Sequence, residues 1–176
     1  MKWIVILLIG ALNSARADAP KVPDKPDPNG FEVTIKSVKL DYVKLRKLRG
    51  DTAGEDDAMS QDKVLIFTLT ITNRGQREQA YKTFNGAKGG SKDYASLIDS
   101  KRKFVPLADF GELRAPGVTA EATLKPGESI TDVLCFGKPA NDAKPMVLLL
   151  PAKNHGGAGL WRLDVKVEPT LEEKGG

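Results

Sequence analysis

The sequence predicts an all-β fold, an antiparallel β-sandwich of about seven to nine short strands. Three observations carry that expectation. Apolar and polar residues alternate with period two in one segment after another, the pattern of a half-buried strand. Clusters of Gly, Pro, Asn and Asp separate those segments with turn chemistry. No stretch sustains an apolar stripe at helical spacing over about three turns.

The chain begins with a segment that reads as an address. Met1-Lys2 supplies a positive start, Trp3 to Leu12 is an unbroken apolar run apart from Gly10, and Ala15-Arg16-Ala17 has the small-x-small form that a signal peptidase accepts. The expected domain organisation is a signal peptide over 1–17, cleaved after Ala17, then a proline-rich linker over 18–30. The sandwich follows over 31–167 and a polar tail over 168–176. A membrane anchor is the competing reading of the leader, but its apolar run is half the roughly 20 residues needed to cross a bilayer. The linker has prolines at 20, 23, 26 and 28 and almost no apolar side chains, so it cannot bury enough surface to offset its ordering entropy.

From Phe31 the strands follow in order. Phe31, Val33 and Ile35 alternate with Glu32, Thr34 and Lys36; the pattern resumes out of phase at Val38, Leu40 and Tyr42, which predicts a bulge near Ser37. Residues 50–62 form a polar loop. Lys63 to Asn73 is the strongest strand, with Leu65, Phe67, Leu69 and Ile71 on one side and Thr68, Thr70 and Thr72 on the other. Tyr81 to Phe84 is short, and Ala95 to Leu107 reads as two strands joined around Ser100-Lys101. Ala120 to Leu124 enters Lys125-Pro126-Gly127-Glu128, where Pro then Gly suits a type II turn. Ile130 to Phe136, Met146 to Leu150 and Leu160 to Val167 complete the set, the last with Trp161, Leu163, Val165 and Val167 on one face.

Composition narrows the function. Losing Lys2 and Arg16 with the leader leaves 25 basic against 23 acidic side chains, about +2, which argues against a nucleic-acid binder. No second apolar run approaches spanning length, so stable membrane insertion after cleavage is not expected. The one cysteine, Cys135, allows no intramolecular disulfide, so the fold must rest on its core. Asp18, not cysteine, follows the cleavage site, and no lipid attachment is expected there. The expected location is extracytoplasmic, periplasmic or secreted, and soluble.

Three features together carry a resemblance: the strand Phe67-Thr68-Leu69-Thr70-Ile71-Thr72-Asn73 with its turn Arg74-Gly75, the turn Leu124-Lys125-Pro126-Gly127-Glu128, and the strand end Leu134-Cys135-Phe136. The arrangement resembles secreted bacterial immunoglobulin-like β-sandwiches related to the mycobacterial immunoprotective extracellular antigen, many of them domains of unknown function. The resemblance covers residues 31–167 and implies an immunoglobulin-like fold and an extracytoplasmic setting. It brings no catalytic residues. The chain departs from it at Asp132, where a small residue is usual, and in longer loops at 50–62 and 85–92.

Each candidate chemistry has a plainer reading beside it. Cys135 should point away from the face of Leu134 and Phe136. A reactive thiolate needs a basic neighbour, and His155 is the one histidine, so a packed, inert thiol is expected, with an intermolecular disulfide as the alternative. His155 lacks the companions a metal site needs. No Gly-x-Ser-x-Gly elbow occurs, and the glycines at 156, 157 and 159 precede no helix. Asp51, Glu55, Asp56, Asp57 and Asp62 form an acidic loop whose spacing is not that of an EF-hand; calcium binding there stays open against a solvated loop. The basic run Lys44, Arg46, Lys47 and Arg49 reads as a charged edge strand, with attraction of anionic glycans or headgroups as the alternative.

No catalytic, cofactor-binding or metal residue is therefore assigned. The expected function is a non-enzymatic binding or interaction module for an unidentified envelope protein or glycan. Its loops at 50–62, 85–92 and 151–159 and the aromatics Tyr81, Phe84, Tyr94 and Trp161 are candidate contacts. One alternative is a hydrolase of envelope polysaccharide using carboxylates such as Asp93, Asp99 and Asp109. Another is a self-associating structural component of the envelope.

Overall fold

The computed structural model describes residues 30–47, 58–85, 94–139, 145–155 and 159–165. The leader at 1–17, the linker up to residue 29 and the tail at 168–176 lie outside them. Within them the strands are β1 (Phe31–Asp41), β2 (Lys44–Lys47), β3 (Ala58–Met59), β4 (Val64–Asn73), β5 (Gln79–Lys82) and β6 (Ser96–Ile98). They continue as β7 (Phe104–Val105), β8 (Leu113–Arg114), β9 (Glu121–Leu124), β10 (Ser129–Phe136), β11 (Met146–Pro151) and β12 (Leu160–Val165). That is twelve, more than the seven to nine expected. The surplus comes from pieces such as β3 and β8, two residues each, which are too short to show any periodicity.

The all-β antiparallel sandwich is present. β4 lies between β1 and β10 in one sheet, and β12-β11-β6-β7 form the opposing one. The expected bulge occurs: Ile35 pairs with Leu69 and Ser37 with Thr68, leaving Lys36 as the extra residue. It brings Val38 opposite Phe67 and Leu40 opposite Leu65, so both halves of β1 face the core. Between the sheets, Phe67, Leu69 and Leu134 pack with Leu97, Leu148 and Leu150, all fully buried. Phe67 and Phe136 meet edge to face at 5.5 Å.

The turn after β9 forms as its Pro-Gly sequence predicts, with Gly127 at φ 80° and the Glu128 amide donating to the Lys125 carbonyl. Buried Asn73 ties that turn to β4. Its side-chain nitrogen donates to the carbonyls of Arg77 and Leu124, and its side-chain oxygen accepts from the Gly75 amide.

A third layer covers part of the outer face of β1-β4-β10. There Val64, Ile66, Val133 and Cys135 form a second core with Val43, Leu45 and Ala115. A small sheet ordered β3-β2-β8 supplies this cover, and β5-β9 form a separate pair. The sheet corrects two expectations. The basic run Lys44 to Lys47 is the middle strand of three and not an edge, and the segment read as loop 50–62 contributes β3 at its end.

Candidate functional site

The third layer makes a cleft where it meets the segment 106–113. One wall is stitched by buried Ser60: its hydroxyl accepts from the Val43 amide at 3.0 Å and donates to the Asp62 carbonyl at 2.8 Å. Strand pairing then sets Met59 opposite Lys44 and Ala58 opposite Leu45. The other wall hangs on the end of β10. The Ala108 amide donates to the Cys135 carbonyl, the Gly137 amide donates to the Pro106 carbonyl, and Leu107 bridges to Phe136. An Asx turn at Asp109, accepting from the Gly111 amide, bends the segment back so that Phe110 and Leu113 face the cleft.

The space between is about 860 Å³. Tyr42 at 46% exposure and Met59 at 56% stand on its rim, with Leu45 buried beneath. Asp62, Lys63, Asp109 and Lys138 place two carboxylates and two ammonium groups around it. The Lys63 ammonium sits 5.8 Å from the centre of the Tyr42 ring, a cation–π distance that orients the ring. Apolar Leu45, Phe110 and Leu113 thus line the cleft beside charged groups of both signs.

The residues singled out from sequence are scattered. Cys135 is 2% exposed in the second core, on the face opposite Leu134 and Phe136 as expected, and burial pushes its thiol up to about 12. At that value the thiolate needed for nucleophilic or disulfide chemistry is scarce. Asp99 is buried and holds the β6–β7 turn, accepting from the amides of Lys101 and Lys103. Asp109 lines the cleft, and Asp93 lies outside the described residues. Tyr81 and Phe84 are core residues, and Trp161 packs on that core 6.5 Å from Phe84, so these three candidate anchors are chiefly packing. Tyr94 is half-buried.

His155 ends a short 3-10 turn, Ala152–His155. Of the acidic loop, Asp51, Glu55, Asp56 and Asp57 lie outside the described residues, while Asp62 is exposed at the cleft. Residues 86–92 and 156–158 of the other candidate loops also lie outside. Among the described residues no three His, Cys, Asp or Glu side chains gather as a metal site, and no helix is long and apolar enough to cross a membrane.

Asp132, which the sequence marks only as a departure from the resembled pattern, proves to be a buried, fully partnered group. It shares the core-facing parity of Leu134 and Phe136 and is fully buried. Its Oδ2 accepts from the Tyr81 hydroxyl at 2.5 Å and the Thr83 hydroxyl at 2.8 Å; its Oδ1 accepts from the amides of Thr119 and Val133. Burial raises its carboxyl above the usual range, against the pull of these four hydrogen bonds. Burial, aided by the adjoining carboxylate, keeps the Tyr81 phenol protonated. The signal was present, since a charged residue at a core-facing position of a strand demands partners. The arrangement is a structural lock between β5, β10 and the segment before β9.

No protein-family model and no curated protein sequence matches the chain. Among solved structures it is similar to the yjhA protein of Bacillus subtilis, at 14% identity and a TM-score of 0.51, over 83% of this chain and 99% of that one. An uncharacterised β-sandwich protein from Clostridium difficile matches at 12% identity and a TM-score of 0.40, over 82% and 91% of the two chains. At 14% identity the likeness to yjhA concerns the fold alone.

Proposed function

We propose that this chain is an extracytoplasmic, non-enzymatic binding module that takes its partner in the cleft beside the third layer. The observation that carries the reading is the pairing of exposed Tyr42 and Met59 with Asp62, Lys63, Asp109 and Lys138 around one concavity. Large apolar side chains left in water at a rim with charged neighbours are typical of an interface anchor. The leader at 1–17 supports export, and the likeness to secreted immunoglobulin-like sandwiches related to the mycobacterial antigen belongs to the same proposal. The partner class is an envelope protein or glycan.

The test is parallel capture from the envelope fraction with the chain lacking residues 1–17 and with its Tyr42→Ala/Met59→Ser variant. A component retained by the first and lost by the second is expected. Identical recovery with both would remove the cleft from the reading. A second reading, hydrolysis of envelope polysaccharide, draws on Asp62 and Asp109 sharing the cleft. Release of reducing ends that disappears in Asp109→Asn would replace the first reading with the second.

A further inference from the structure

The hairpin β6–β7 carries a second surface, independent of the cleft. Its turn reads Ser100-Lys101-Arg102-Lys103, and Phe104 follows at 71% exposure, well above Tyr42, Met59 and Leu160. Lys101, Arg102 and Lys103 are all exposed. The turn is built to present them. Asp99 draws the amides of Lys101 and Lys103 inward, the Asp99 amide donates to the Lys103 carbonyl, and the Arg102 amide donates to the Asp99 carbonyl. With the backbone amides of 101, 102 and 103 turned onto Asp99, the exposed side chains of Arg102 and Lys103 face solvent. Arg102 holds φ 61°, the one non-glycine residue at positive φ among those described. Such strain persists where the surroundings impose it.

Strand register extends this surface. Phe104 pairs with Ile98, Ile98 with Val147, and Val147 with Asp164, so the four side chains form one row across the sheet. Their neighbours Leu97, Val105 and Leu148 point into the core, so the row stands on the outer face. Ile98 and Val147 are half-buried. The cations therefore border an apolar strip of Phe104, Ile98 and Val147. The acidic member, Asp164, lies at the far edge on β12 with Arg162 3.6 Å away.

We infer that this hairpin is a peripheral docking site for an anionic lipid surface. Arg102 and Lys103 meet the headgroup phosphates while Phe104 enters the boundary between headgroups and acyl chains. Charge complementarity selects an anionic surface. The apolar strip beside the cations selects a bilayer over a hydrated polyanion, which would leave Phe104, Ile98 and Val147 in water. Docking of this kind is adsorption and inserts no strand.

Vesicle co-sedimentation tests it. The chain lacking residues 1–17 is used, because the apolar leader would itself bind lipid; the described residues begin at Gly30, so every described strand is retained. The expected result is binding to phosphatidylcholine vesicles containing about one third phosphatidylglycerol, weakened by salt and much weaker on pure phosphatidylcholine. Phe104→Ser should lower the affinity about tenfold. Arg102→Gly, which suits the backbone there, and Lys103→Ser should each lower it about fivefold. All three variants should melt within a few degrees of the parent. No binding to anionic vesicles, equal binding to both vesicle types, or variants that bind like the parent would overturn the proposal. So would binding to dextran sulfate alone that survives Phe104→Ser, which would assign the tip to an anionic polysaccharide.

Discussion

Asp132 shows how one residue's chemistry sets local structure. Four donors converge on a carboxylate with no solvent contact. Asp132→Ala would strand all four, and a loss of about 3–5 kcal/mol in urea denaturation is expected. Asp132→Asn keeps an acceptor for the two amides and offers donors to two hydroxyls that can rotate to accept, so its loss should be much smaller. The folded carboxyl binds its proton more tightly than the unfolded one. Its contribution to stability is thus fully present below the unfolded value of about 4 and falls as pH rises through the raised folded value. The urea midpoint of the parent should fall relative to that of Asp132→Asn as pH increases across that window; a difference constant with pH would count against the raised carboxyl. Cys135 makes the opposite case, a group silenced by burial. A thiol reagent at pH 8 should label it more slowly in the native chain than in denaturant by a factor of about a thousand or more, since reaction waits on opening. Immediate native labelling would contradict the second core.

At the scale of elements, the bulge in β1 is the most legible device. Lys36 is the one unpaired residue between halves that each face the core. Deleting it should close the bulge while keeping Val38 opposite Phe67, at a cost of about 1 kcal/mol. Deleting Thr34 instead would turn Phe31 and Val33 to the outer face, or drag the register of the whole strand. Losing burial of those two side chains should cost at least about 3 kcal/mol. Chemical denaturation of the two deletions side by side checks the contrast, and equal losses would refute it. β4, the Pro-Gly turn and the β6–β7 hairpin were equally readable because each is encoded by adjacent residues. β3 and β8 were not, since a two-residue strand exists only through its partner.

For the whole molecule, both cores share β4 and β10: Phe67 and Leu134 belong to one, Ile66 and Cys135 to the other. Neither core can be lost while those strands stay intact, so unfolding should be a single transition. After loss of the leader, Trp161 is the one tryptophan, and it reports the main core, while Cys135 accessibility reports the second. The two probes should give coincident urea midpoints, and Phe67→Ala and Ile66→Ala, at about 3–5 and 2–5 kcal/mol, should move both together. Separate midpoints would show the third layer to be an independent unit.

The candidate site was the least legible part. In the sequence Tyr42 ends an alternating strand pattern, Asp62 belongs to an acidic loop and Lys63 opens the strongest strand, while Met59, Phe110 and Lys138 carry no local signal. They come together through Ser60 on one wall and the end of β10 on the other, contacts between residues far apart in the chain. Period-two patterning and turn residues act between neighbours, so local sequence suffices for the all-β class, the bulge, the hairpin turns and which face of β4 is buried in the main core. The partial cover on the outer face of β4, the four partners of Asp132 and the cleft beside the cover arise from long-range packing. Those outcomes depend on which distant segments pack together, and no local pattern encodes that choice.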